Sequence, residues 1–117
     1  VKTHAGDVDF EVQPELLSLF SNRDFGRYAG EKGEMNVCFI SNNDITGGNS
    51  GSAMFNARGE LLGLAFDGNW EAMSSDILYE PKMQRCIGVD VRYILFMIEK
   101  YGKAGDLIRE LKIVSGK

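Results

Sequence analysis

Ser50 lies between Asn49 and Gly51, with Gly47 and Gly48 just upstream, in the stretch DITGGNSGSAM that runs from Asp44 to Met54. A serine hydroxyl attacks a carbonyl only where its proton has somewhere to go and the oxyanion that forms meets preorganised donors. Glycines ahead of the serine let the backbone turn so that successive N–H groups point one way, a turn that Cβ atoms would obstruct. On this reading Ser50 is a nucleophile for acyl transfer, and the N–H groups of Gly48 and Ser50 are the oxyanion donors. Gly, Asn and Ser are also the commonest materials of a polar turn between strands, so GNSG by itself leaves both readings open.

A nucleophile of this kind needs a base and an acid that orients it. The only histidine, His4, stands near a terminus in a polar stretch and reads as a solvated residue rather than a base. Asp44 and Asp90 have no claim to the acid's role: Asp44 suits the cap of a turn and Asp90 the cap of a helix. Cys38 and Cys86, 48 positions apart in apolar surroundings, fit neither a metal-ligand spacing nor a dense disulfide framework. Buried free thiols are the favoured reading, a Cys38–Cys86 bridge the lesser one. No metal or cofactor is expected.

The elements that must hold Ser50 can be read on both sides of it. PELLSLFSN (14–22) has Pro at a first helical position and helical apolar spacing, so it predicts a short helix. FGRYAGEKGE carries Gly26, Gly30 and Gly33 among charges and predicts a loop. MNVCFIS (35–41) predicts a strand that delivers the chain to the Ser50 loop. SAMFN and ELLGLAFDG, joined by NARG with Gly59 suited to a left-handed turn, predict a β-hairpin leaving it. NWEAMSSDILYEPKMQ has no clean period and is broken by Pro81, which predicts a long surface excursion. RCIGVDV predicts one more strand. DVRYILFMIEKYG has apolar residues at 91, 94, 95, 98 and 101, a helix capped by Asp90 at its start and ended by Gly102. AGDLIRELKIV predicts a second helix, so helices occupy about 90–113. The expected fold is mainly β with C-terminal helices, an antiparallel arrangement whose partner strands lie outside residues 1–117.

The chain of 117 residues is the size of a single domain with a single core. It carries 14 Gly, more than regular helices and strands need, which places them in turns or sites. A formal charge of −4 without a basic block suggests neither a nucleic-acid footprint nor a polybasic membrane contact. No apolar run reaches the roughly 20 residues of a membrane-spanning helix, so membrane insertion is not expected. The chain opens at Val1 without Met and without a signal-peptide layout, and reads as a piece of something longer.

A strand leading into the serine loop and a hairpin leading out is the setting in which chymotrypsin-like proteases present GDSGG. The longer run NDITGGNSGSAMFNARGELLGLAFDGNWEAMSSDI, followed by QRCIGVDVRYILFMIEKYG, is similar to the C-terminal end of the bacterial dipeptidyl-peptidase 7 and 11 family of serine exopeptidases, over roughly residues 23 to 111. The resemblance implies part of the second β-barrel of a chymotrypsin-like (trypsin-like) double barrel, with Ser50 the triad serine and Gly48 an oxyanion donor. It implies release of dipeptides from free peptide N-termini, homodimerisation, and export to the periplasm or cell surface. The family's His and Asp lie far upstream, so this chain alone is expected to be inactive.

Residue types beyond the loop bear on the same chemistry. The hairpin strand after a nucleophile loop can line the primary specificity pocket, and Gly68 in LAFDGNWE falls where a side chain would fill or leave open that pocket. An exopeptidase also needs an anion for the substrate ammonium, because a buried unpaired cation is costly, and Asp67 is the available carboxylate. By resemblance, the position of Asp67 binds the substrate amine. That of Gly68 sets preference, Gly going with apolar residues before the scissile bond and Arg with Asp or Glu, which points to the dipeptidyl-peptidase 7 type. Without the resemblance, Asp67-Gly68 reads first as a turn pair at a strand end.

Two departures from trypsin-like patterns stand out. Asn49 replaces the Asp of enzymes activated by clipping and could hold the loop by neutral hydrogen bonds, and Ala53-Met54 follow Ser52 where Pro is more usual. Two other readings compete: a non-catalytic β-domain interaction module, and a fragment of a chymotrypsin-like endopeptidase.

Overall fold

The computed structural model describes residues 8–74, 77–78 and 80–114, with the backbone alone at 9, 73 and 74. Its elements are α1 (Pro14–Ser21), β1 (Cys38–Ser41), β2 (Ala53–Phe55), β3 (Leu61–Gly68), β4 (Cys86–Asp90), α2 (Val91–Phe96) and α3 (Gly105–Arg109). The four strands form one antiparallel sheet in the order β1-β4-β3-β2. The chain is therefore mainly antiparallel sheet with C-terminal helices, as its sequence leads one to expect.

The β2–β3 hairpin turns where Asn56 and Gly59 demand it. Gly59 has φ 75°, and the Asn56 side-chain oxygen accepts from the amides of Arg58 (2.9 Å) and Glu60 (3.0 Å), closing the turn locally. One face of the sheet is packed by Met54, Ala65 and Cys86 with Phe39 and Ile45 against them. Gly63 and Gly88 lie under these side chains: a Cβ on Gly88 would come within 2.7 Å of Met54 Sδ and 2.9 Å of Phe39 Cζ, and one on Gly63 would strike the Val89 carbonyl. The opposite face leaves Ile40 and Phe55 exposed.

Burial is divided between two clusters instead of gathered in the single core expected from length. The second consists of Phe25, Tyr28, Leu95, Phe96 and Ile108, with α1 and the end of α2 packed around it. Phe96 is fully buried and meets Phe20 and Phe25 edge-on, both at 5.8 Å. Two of the five come from the segment expected to be only a glycine-rich loop. A single 3-10 turn at Gly26–Tyr28 folds these aromatics inward, and the Tyr28 hydroxyl donates to Glu99. Periodicity cannot reveal such a turn because it is too short to have a period.

Other expectations are met only in part. The helix does end at Gly102, its C-cap as expected, but its last residues, Met97–Tyr101, form a π turn. Gly102 donates to Met97 O at 2.7 Å with φ −76°, and the left-handed residue is Lys103 (φ 54°). A Cβ at 102 would lie 3.0 Å from the Ile98 oxygen, a tight contact that glycine avoids. The last helix is shorter than its pattern, ending at Arg109, and the first strand begins only at Cys38. Both cysteines are free; Cys86 is buried but Cys38 is exposed. In register, Cys38 pairs with Val89 while Cys86 pairs with Ser41, so the two side chains leave opposite faces of the sheet.

Asp90 does cap α2 as expected: its Oδ1 accepts from the Arg92 amide at 2.8 Å, and its carboxylate holds the Arg92 guanidinium at 2.9 and 2.6 Å. Among the described residues no helix is long and apolar enough to cross a membrane.

Candidate functional site

The loop between β1 and β2 is held from inside by Asn49. Its side-chain oxygen accepts from the Thr46 amide at 2.8 Å, its own amide donates to Thr46 O at 3.2 Å, and its carbonyl accepts from Ser52 at 2.9 Å. All of these bonds are neutral, so the loop is held without a charge at Asn49, as the sequence leads one to expect. The loop is then laced to β3 by Gly51 N to Ala65 O (2.7 Å) and Ala65 N to Ser52 O (2.9 Å). Ser50 is thereby suspended between an Asn-closed turn and a strand.

Gly48 has φ 93° and Gly51 φ 87°, conformations that L side chains rarely adopt, whereas Gly47 has no positive φ. A Cβ on any of the three would meet no heavy atom within 4 Å beyond its chain neighbours. The demand for glycine at 48 is thus internal to the backbone and does not come from packing. The amides of Gly48 and Ser50 have no protein acceptor among the described residues, and neither does the exposed Ser50 hydroxyl. Such amides can donate to a developing oxyanion.

A β-bulge on β3 sets the other wall. The register runs Ala65 opposite Gly88, then Asp67 opposite Ile87 and Gly68 opposite Cys86, so Phe66 is the extra residue. A bulge shifts alternation by one. Gly68, and not Asp67, therefore continues the packed face of Gly63 and Ala65, while Asp67 is exposed and accepts from the Gly68 amide at 2.8 Å. The bulge gives the two adjacent residues different surroundings.

Ser50, Asp67 and Gly68 line one cavity of about 250 Å³, along with Ile45, Thr46, Gly47, Asn49, Ala65, Phe66, Asn69 and Ala72. Gly48 is not part of its lining, although both of its neighbours are. Asp67 is the one charged residue in that wall, so the cavity offers a carboxylate and no cation. His4 lies outside the described residues, and the described residues contain no other histidine. Asp44 makes no hydrogen bond among them, so it caps nothing there. They also hold no group of three or more metal-ligating side chains.

Ile45, Asn69 and Ala72 escape the reading of the sequence. Ile45 has no strand or helix period to place it, and Asn69 and Ala72 belong to the aperiodic stretch after β3. The one usable signal was the turn-forming Asn69 at the end of a strand.

Chemically, the pocket's lining brings together the Ser50 hydroxyl, the unpaired Ser50 amide and the Asp67 carboxylate. A family model described as peptidase S46 matches residues 1–113. A protein named dipeptidyl-peptidase 7 from Porphyromonas endodontalis is 61% identical over 108 residues, covering 92% of this chain and 13% of its own length. A protein named Asp/Glu-specific dipeptidyl-peptidase from Capnocytophaga gingivalis is 50% identical over 109 residues, covering 93% of this chain and 15% of its own. The crystal structure of DPP11 from Porphyromonas endodontalis in complex with the dipeptide Arg-Glu superposes with a TM-score of 0.90 at 45% identity, over 93% of this chain and 16% of that one. The chain thus spans about one-sixth or less of the relatives it matches, and its sheet and helices fit part of their double barrel.

Proposed function

This chain belongs to the peptidase S46 family, and we propose that it supplies the nucleophile and half of the specificity pocket of a serine dipeptidyl-peptidase that releases dipeptides from free peptide N-termini. The carrying observation is that Ser50, Asp67 and Gly68 line a single cavity. In this reading Ser50 Oγ bonds to the scissile carbonyl carbon as its proton passes to a base from outside this chain. The resulting oxyanion accepts from the amides of Gly48 and Ser50, and its collapse expels the shortened peptide's amine, which leaves protonated. Water then releases the dipeptide from the acyl-serine by the same path. Asp67 pairs with the α-ammonium of the substrate and so measures two residues from its end.

The residue before the scissile bond is apolar. Gly68 leaves the pocket open, and a carboxylate side chain there would meet Asp67 and no lining cation. The same reading makes the whole protein an exported homodimer, in the periplasm or at the cell surface, and leaves the chain alone inactive for want of a base.

A fluorophosphonate tests the nucleophile: the full-length protein labels, and Ser50→Ala does not. Labelling that survives Ser50→Ala, or none in the parent, refutes it. Cleavage of substrates with blocked N-termini as well as free ones would instead identify an endopeptidase.

A further inference from the structure

We propose that Ala72 is a specificity-determining residue, packed against Gly68 in the pocket wall with the apolar Ile45 beside them. This deepens the reading above and rests on it. The chain reverses immediately after Gly68, and Asn69 fixes the reversal. Its amide donates to Arg85 O at 3.0 Å, its side chain donates to Met83 O and accepts from the Arg85 amide, both at 2.8 Å, and its carbonyl accepts from the Ala72 amide at 2.9 Å. The 3-10 turn Trp70–Ser74 is thereby brought back over the end of β3.

The closeness of that approach shows in what a side chain at 68 would meet. A Cβ there would lie 2.9 Å from Ala72 Cβ, 3.4 Å from Ile45 Cδ1 and 3.5 Å from Arg85 O. The first distance is below any normal carbon contact, while the other two are tight to ordinary. Gly68, Ala72 and Ile45 all line the cavity. Gly68 and Ala72 are thus near-contact neighbours in the cavity wall, and a larger side chain at either must enter the cavity or displace the other. Gly68 has no positive φ, so adding a methyl at 68 changes contacts without straining the backbone.

Two consequences separate this pair from a pocket governed by residue 68 alone. Enlarging Ala72 shrinks the acceptable substrate side chain although position 68 is untouched. Substitutions at 68 and 72 are also non-additive, because they compete for one contact.

The experiment uses the full-length protein and a series of dipeptidyl-coumarin substrates with a common first residue and Ala, Val, Leu or Phe second. The readout is the ratio of kcat/KM for Leu to that for Ala, which cancels any change in the fraction of folded enzyme. Ala72→Leu is expected to lower the ratio about 10- to 100-fold, the range of one or two methylenes in an apolar pocket. Gly68→Ala is expected to lower it about 10-fold, and adding Ala72→Gly to restore most of that loss. An unchanged ratio in Ala72→Leu overturns the proposal. Should that variant fail to fold, the Gly68→Ala and Ala72→Gly pair decides instead, and strictly additive effects overturn it. Failure of the underlying reading is distinguishable, because the unsubstituted protein would then neither label at Ser50 nor turn over any member of the series.

Discussion

Gly47 and Gly48 are adjacent and identical in sequence, and the structure predicts opposite fates for them when each is replaced by alanine. Gly48 has φ 93° and Gly47 has no positive φ. Neither would clash, since a Cβ at either position meets nothing within 4 Å beyond its chain neighbours. The difference is therefore purely one of backbone conformation. At 48 an L residue in left-handed geometry costs about 1–2 kcal/mol. At 47 the methyl restricts only the unfolded chain and should stabilise by about 0.4–1 kcal/mol. The two variants should differ by about 1.5–3 kcal/mol in unfolding free energy, measured by urea denaturation. The loop can escape the strain by rotating the Gly48 amide away from its present direction, and losing one oxyanion donor costs about 10²–10³ in rate. Turnover by full-length Gly48→Ala should fall by that factor. Equal stability of the two variants would refute the backbone argument; full activity in a strained Gly48→Ala would remove its amide from the chemistry.

Phe96, fully buried among three aromatic rings, should cost about 3–5 kcal/mol when replaced by alanine, and a loss below 1 kcal/mol in denaturation would mean that the helical cluster is not a core. Burial pushes the Cys86 thiol above its ordinary range, with a hydrogen bond to Ser41 opposing it. The folded state thus keeps a proton that the unfolded state releases. Its contribution is complete below the unfolded value of about 8.5 and is lost as pH rises through the folded one. Thermal midpoints should fall over that alkaline range, less steeply in Cys86→Ala; an identical slope in the variant would refute the assignment. Asp67→Asn should lower kcat/KM for free-N-terminal substrates by about 10- to 100-fold, the worth of a charged hydrogen bond, while labelling of Ser50 by a fluorophosphonate, which has no amine, stays unchanged. Equal losses of turnover and labelling, or no loss of turnover, would detach Asp67 from the amine.

What the sequence by itself determined was whatever the chain settles within a few residues. The Asn56–Gly59 turn, the Asp90 cap and the Asn49 bonds of the serine loop each join groups no more than four positions apart, so residue type suffices to place them. Ser50, Asp67 and Gly68 could likewise be singled out by type and spacing, with a family resemblance to weigh the alternatives. Only the tertiary structure decided the rest. Alternation along LLGLAFDG is consistent with either residue of the Asp67-Gly68 pair facing the packed side, and the bulge at Phe66 that chooses Gly68 exists only in the pairing with β4. The same pairing sends Cys38 and Cys86 to opposite faces. Ala72 reaches the pocket because Asn69 bonds to residues 14 and 16 positions further on. Contacts at that separation depend on where another strand lies, which local propensity and periodicity do not encode.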